Sequence, residues 1–313
     1  MKPKRSWVVM WGSGLGDMLV IRPFLMALAK CQSNPPILLT TGRSFLPSVL
    51  QAMSLNVKIS VFSNSLLGAL QMVLQAPWGR PIYIGPHNTT KTRVLAYLLG
   101  LGRILHSKSK KPFIADAVAD DIVLFRLAKK AAAYGPLPIF NQEFNKVNCE
   151  LEDAIVVHCG AKSLWKTKCW PIDKWVQLLS LLNEISCRII LVGTEAERKQ
   201  LEEIASNVSG QKPLILIHLN LSQLEHVIEM AKLVICHNSG IMHLALAHKR
   251  PSVVITGSSA HYWRAPYKWV ENVVGPCDLG CNAYVCPKPE LGGICIKGIE
   301  VDAVYSACMR LLT

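Results

Sequence analysis

Asp17 closes the run Gly12-Ser13-Gly14-Leu15-Gly16-Asp17, which lies between an apolar stretch at residues 7–10 and a helix-patterned stretch from Met18. Glycines at this spacing let a chain turn sharply at a strand end and bring its backbone close to a substrate. A carboxylate at the N-terminus of the helix that follows is stabilised by the helix dipole. Asp17 is therefore a candidate general base, with Ser13, Gly14 and Gly16 forming the loop beside it. The same residues also suit a helix-capping aspartate after a tight turn. A dinucleotide fingerprint fits badly, because it spaces its glycines G-x-G-x-x-G and needs an acidic residue about 20 positions later. Here the glycines run G-x-G-x-G, and the second apolar run is followed by Thr40, Thr41 and Gly42.

Two loops in the second half carry anion-binding chemistry. The first follows an apolar run at residues 154–158 and holds Lys162, Ser163, Lys166, Thr167 and Lys168 before Trp170-Pro171. Cations and hydroxyls at a strand end, with proline opening the next helix, suit a phosphate. Solvated lysines are the competing reading for any one of them. The second loop, Cys236-His237-Asn238-Ser239-Gly240, enters a helix through two good capping residues and places His243 about one turn further on. Backbone N–H groups at such an entry accept an anion. A cap without function is the bland alternative, yet two such loops in one domain point to a nucleotide diphosphate held between them.

Four of the eleven cysteines, Cys277, Cys281, Cys286 and Cys295, fall in one Gly/Pro-rich loop with the spacing C-x3-C-x4-C-x8-C. Four thiols at such intervals can surround a tetrahedral metal, so a structural zinc or iron is one expectation. Tight C-x2-C pairs are missing, and free thiols are the other. The remaining seven are scattered and read as core or loop residues.

These loops must be positioned by something, and both halves of the chain show short β-branched runs alternating with amphipathic helical stretches. The apolar runs at residues 7–10, 37–39, 57–61 and 81–84 alternate with helical patterns at 18–30, 44–53, 66–75 and 90–99. A second series has runs at 154–158, 188–192, 214–217, 233–236 and 252–256, with helices at 171–184, 196–205, 222–231 and 240–247. Such alternation predicts α/β domains with parallel sheets covered on both faces. Two domains are expected, 1–150 and 151–313, with the seam in the polar stretch at 141–153. Ligands in open parallel sheets bind beyond the strand C-termini, which places the site in a cleft between two doubly wound, Rossmann-like domains.

Charge divides along the same seam. Residues 1–150 hold 18 Lys and Arg against 6 Asp and Glu, a net of +12, while the rest of the chain contributes only +1 of the total +13. The first domain is thus expected to meet something polyanionic, through Lys91, Arg93, Arg103, Lys108, Lys110, Lys111, Lys129 and Lys130. A solvated basic face explains any single one equally well. No apolar run approaches the 18 or more residues of a membrane span. The start of the chain lacks a signal-peptide pattern, so a cytoplasmic location is expected. No nucleic-acid motif is present, and no nucleic acid is expected as a partner.

Taken in order, these residues resemble glycosyltransferase family 9, the ADP-heptose:lipopolysaccharide heptosyltransferases. The resemblance lies in Gly14-Leu15-Gly16-Asp17, in His158-Cys159-Gly160 with Lys168-Cys169-Trp170-Pro171, and in Asn238-Ser239-Gly240-Ile241-Met242-His243-Leu244-Ala245. Gly257 with Trp263, Pro266 and Tyr267, and then Cys286-Pro287, complete it. It implies a GT-B fold, with acceptor bound by the N-terminal domain and nucleotide-sugar donor by the C-terminal one. It also implies inversion at the anomeric carbon with no required cofactor. Asp17 matches the base and Lys168 the lysine at donor phosphate and sugar; Ser239, Gly240 and His243 match the diphosphate loop, with Ser163 and Lys166 nearby. Glu195 stands where the family often contacts the ribose, as does Glu197. The implied acceptor is an anionic, lipid-linked glycan, which would bring the enzyme peripherally to the cytoplasmic membrane surface. One departure is Asn238, where the family usually has Asp: a charged contact to the donor sugar becomes a neutral amide, which leaves the sugar open. A different donor or acceptor, or a catalytically weakened binding homologue, is the alternative reading.

Overall fold

The computed structural model describes residues 7–10, 14–30, 37–41, 58–62, 80–83, 151, 153–160, 166–185, 187–259, 264–277, 279–281, 283 and 285–313. Ser13, Ser163, Trp263, the expected helices at 44–53, 66–75 and 90–99, and the basic residues between 91 and 130 lie outside them. The chain divides into two compact units, Met1–Ile139 and Phe140–Thr313.

In the first unit, β1 (Trp7–Met10), β2 (Ile37–Thr41), β3 (Lys58–Phe62) and β4 (Arg80–Tyr83) form a parallel sheet in the order β3-β2-β1-β4. Helix α1 (Leu15–Lys30) follows β1 and buries Met18, Ile21, Leu25 and Leu28 at helical spacing. It begins at Leu15, inside the glycine run and earlier than the expected Met18, so Gly16 and Asp17 belong to its first turn.

The second unit holds β5 (Ile155–His158), a 3-10 turn at Lys166–Lys168, α2 (Ile172–Leu182), β6 (Ile189–Val192), α3 (Arg198–Asn207) and β7 (Leu214–Leu216). It continues through α4 (Leu221–Met230), β8 (Leu233–His237), α5 (Gly240–Ala247), β9 (Ser252–Thr256), β10 (Val270–Val274), α6 (Ile294–Lys297) and α7 (Val301–Leu312). All six strands are parallel, in the order β10-β9-β8-β5-β6-β7. Counted from β5, this is the doubly wound Rossmann order, and the winding reverses between β5 and β8.

Strands β5, β6, β8 and β9 are buried on both faces, which is why they read as unbroken apolar runs rather than alternating ones. Ile155, Val157, Ile189, Leu191, Leu233, Ile235, Val253 and Ile255 share one core with α2, α3 and α7. Period-two alternation sends Val156, Val234 and Val254 to the opposite face, also buried, and α5 packs against β8 and β9. Helix α2 contributes Trp175, Leu178, Leu179 and Leu182, a spacing that puts all four on one stripe. Strand β10 and helix α7 were not among the expected elements. Glu271 and Asn272 interrupt the apolar pattern of β10, and Asn272 is used to fix its entry: its amide bonds both the N–H (3.1 Å) and the carbonyl (3.0 Å) of Ala265. The stripe Val301, Val304, Ala307 and Cys308 of α7 does carry helical spacing.

Trp175 is fully buried between the sheet and the indole of Trp170. Trp175→Ala should lower the stability of the second unit by about 3–5 kcal/mol, read from urea unfolding of the full chain.

Candidate functional site

Where the winding of the second sheet reverses, the adjacent strands β5 and β8 both end in histidine. Ligand crevices in open parallel sheets lie outside the strand C-termini at such a point. His237 is completely buried there and joins three parts of the chain. The Trp170 N–H donates to its Nε2 at 3.1 Å. With Nε2 accepting, the proton is on Nδ1, which donates to the Gly160 carbonyl at 3.1 Å. The edge of the ring meets Trp175 at 5.4 Å between centroids, and Trp175 meets Trp170 at 5.0 Å. The Trp170 indole N–H in turn donates to the Ile299 carbonyl at 3.0 Å. Burial pulls the His237 pKa down to about 3; the Gly160 bond opposes this, while His158 and Lys168 reinforce it. The ring is neutral at any physiological pH.

Trp170 follows the 3-10 turn that carries Lys168, and the Lys168 ammonium reaches the main-chain carbonyl of Asn238 at 3.4 Å. Asn238 is buried, and the next residue, Ser239, is the N-cap of α5 in extended conformation. Its hydroxyl makes no capping bond, and its buried oxygen has no hydrogen-bond partner among the described residues. Leaving such a group unsatisfied costs about 1–3 kcal/mol. The N–H groups of the first turn of α5, beginning at Gly240, have no intrahelical partner. Helix-end donors and a cation thus gather at one place, an arrangement chemically suited to an anion. His243 lies one turn into α5; burial, and secondarily Lys168, lower its pKa to about 4.

The Lys168 turn is also held from the β9 side. Thr167 and Ser258 hydroxyls meet at 2.9 Å, and both reach the carbonyl of Ala283. Gly257 makes this approach possible, since a Cβ there would stand 2.1 Å from the Thr167 carbonyl oxygen.

The two glutamates after β6 part ways. Glu195 faces solvent, paired with Arg198 through bonds of 2.7 and 2.8 Å and with His218 at 3.0 Å; the Arg198 bond lowers its pKa. Glu197 instead accepts from the N–H (2.8 Å) and hydroxyl (2.7 Å) of Thr194 and lies 3.7 Å from His158 Nε2. It covers the ends of β5 and β6: a Cβ on Gly160 would fall 1.6 Å from its Oε1. His158 has its pKa lowered by burial against the opposing charge of Glu197, and its Nδ1 is without a hydrogen-bond partner among the described residues.

The structure therefore brings Lys168, Asn238, Ser239, Gly240 and His243 together and leaves Glu195 on the exposed side. Lys166 opens the 3-10 turn. Sequence reading gave no role to His237. The available signal was a histidine ending an apolar run directly before the capping pair Asn238-Ser239.

In the first unit, Asp17 is the third residue of α1, and its Oδ2 accepts the Gly14 N–H at 2.9 Å. The Gly14 carbonyl accepts the first helical bond from Met18 at 3.0 Å. This is half a capping box, with no side chain at the cap position to return the bond. A Cβ at residue 14 would come 2.8 Å from that Oδ2, so glycine there leaves room for the carboxylate. Gly16 sits inside the same turn.

The four cysteines of the expected metal loop are among the described residues. Among the described residues, no three His, Cys, Asp or Glu side chains are arranged to hold a metal ion. The Cys286 thiol points to the Lys288 carbonyl at 3.1 Å. The Cys295 thiol is pushed up to about 11, first by burial and then by Cys277, Cys281 and Cys286.

The family model described as glycosyltransferase family 9 (heptosyltransferase) matches residues 108–288. The chain belongs to this family. Among solved structures, a family 9 glycosyltransferase from Veillonella parvula DSM 2008 has 17% identity and a TM-score of 0.65, covering 98% of this chain and 97% of that one. E. coli ADP-heptose LPS heptosyltransferase II has 16% identity and a TM-score of 0.65, covering 98% of each chain. The iron-containing dodecameric glycosyltransferase TibC of enterotoxigenic E. coli H10407 has 15% identity and a TM-score of 0.61, covering 99% of this chain and 77% of that one. A search of curated protein sequences gives no match. The family 9 assignment makes the chain a glycosyltransferase, and the structural likeness is that of the GT-B fold.

The two depressed histidines of this glycosyltransferase make its stability acid-sensitive in a definite window. Both pKa values lie below the ordinary 6.5, so the unfolded chain takes up protons first as pH falls. The contribution is complete above pH 6.5 and is lost on the way down to about 4 for His243 and about 3 for His237. Urea unfolding at neutral pH and near pH 5 should show the wild type losing stability and His243→Gln losing less of it.

Proposed function

We propose that the second unit binds a nucleotide-sugar donor by its diphosphate and that Asp17 is the base of an inverting heptosyl transfer. The observation that carries this reading is the unpartnered, buried Ser239 hydroxyl at the N-terminus of α5, one residue beyond the carbonyl that Lys168 reaches. Lys168 supplies charge, the first-turn amides of α5 supply oriented donors, and Ser239 supplies a hydroxyl. Stabilising a departing diphosphate in this way is often the largest single contribution to such a rate. His243, held neutral, can donate or accept without adding charge. Glu197, laid over the ends of β5 and β6, is better placed than Glu195 for the ribose hydroxyls. The acceptor oxygen attacks the anomeric carbon as its proton passes to Asp17, and the bond to the donor phosphate oxygen breaks on the opposite face.

The donor we favour is ADP-heptose and the acceptor a phosphorylated, lipid-linked inner-core glycan. The +12 charge of residues 1–150 supports an acidic acceptor and a peripheral, cytoplasmic position at a membrane. No helix among the described residues is long and apolar enough to cross one. Asn238 favours a second reading in which the fold and diphosphate site are kept but the sugar differs, because an amide replaces the carboxylate expected from the family resemblance.

Transfer from ADP-heptose to a heptose-deficient lipopolysaccharide core, followed by mass spectrometry, tests the proposal. A gain of one heptose is expected. No gain with ADP-heptose, but gain with another nucleotide sugar, would move the donor to the second reading; no gain with any donor would remove the transfer reaction. Asp17→Asn keeps an acceptor for the Gly14 N–H and should lower kcat by about 10²–10⁴ while ADP binding is retained. Lys168→Ala should weaken ADP binding as well, measured by calorimetric titration.

A further inference from the structure

We infer that His237 is a positioning residue of the donor site, whose ring sets the place of the Lys168 turn by joining the Trp170 amide to the Gly160 carbonyl. The functional half of this inference rests on the donor reading above; the geometric half stands without it. Gly160 and Trp170, ten residues apart between β5 and α2, lie 77 and 67 residues before His237 in the chain and meet it at the reversal point of the sheet. Lys168 lies two residues before Trp170, and Asn238, whose carbonyl Lys168 reaches, directly follows His237. One side chain therefore links both ends of the Lys168 contact.

The ring does more than fill space. Both of its nitrogens are used, one as acceptor and one as donor, in a single tautomer. A protonated ring would face the Trp170 N–H with a second donor, so the bond exists only for the neutral form. That neutrality also keeps a second positive charge away from Lys168, leaving its ammonium for a diphosphate. Trp175 packs edge-on against the ring and restrains its rotation. His237 touches neither donor nor acceptor in this account; it acts through Lys168 and the loop after β5.

Two isosteres separate the two bonds. An asparagine amide reaches the place of Nδ1 and can still donate to Gly160, but leaves the Trp170 N–H unpaired. A glutamine carbonyl reaches the place of Nε2 and can still accept from Trp170. The full-length His237→Gln, His237→Asn and His237→Phe proteins would be compared by amide hydrogen exchange of the peptide containing residues 166–170 and by ADP titration.

His237→Gln should keep slow exchange there and bind ADP within about threefold of wild type, while His237→Asn and His237→Phe should exchange and dissociate faster by about tenfold or more. If Gln and Asn behave alike at this peptide, whether both harmed or both unharmed, the positioning role is wrong and His237 is core filling. Should His237→Phe fail to fold, the Gln and Asn pair decides. If wild type does not bind ADP, the donor reading falls and the exchange pattern alone decides the positioning role.

Discussion

The architecture around the Lys168 turn depends on two hydrogen bonds made by one buried, uncharged imidazole. His237 is worth placing in a core only because each nitrogen meets a main-chain group that would otherwise be buried without a partner. Burial holds the ring neutral, neutrality fixes the tautomer, and the tautomer fixes which loop receives and which donates. The Trp170–Trp175 pair surrounds this unit with apolar surface, and the Trp170 indole extends it to Ile299 near the start of α7. Secondary structure far from the site is thereby tied to the turn that carries Lys168.

A second constraint is the close packing of main chain at the strand ends. Gly257 lets β9 run against the Thr167 carbonyl, Gly160 lets Glu197 lie over β5, and Gly14 leaves room for the Asp17 carboxylate. These glycines share a steric purpose rather than a conformational one. Each gives a functional side chain or turn access to backbone that a Cβ would cover. In the first unit the cap and the proposed base are one carboxylate, so helix geometry orients the proposed base.

The parallel α/β architecture was legible because the central strands of the second sheet are covered on both faces and so appear as plain apolar runs separated by helical stripes. The helix-entry residues Asn238 and Ser239 were legible for the same local reason that Asp17 was: capping chemistry is written within three or four positions. The His237 link was not, since its partners are main-chain groups 67 and 77 residues away, and no side-chain identity at Gly160 or Trp170 announces a bond to their backbone. Glu195 and Glu197 show the limit of spacing arguments in a short turn, where two positions decide between solvent and strand end. The cysteine loop shows it again: the same intervals suit a metal cage and free thiols alike.

Lys168 approaches residue 238 through the carbonyl of the main chain, a group every amino acid has. The lysine's anchor is thus indifferent to what side chain stands there. Exchange of acid for amide at this position would change the side chain while leaving the lysine's anchor in place. On the donor reading proposed above, the sugar-facing side chain could thus vary by single steps without disturbing the lysine proposed to hold the leaving group.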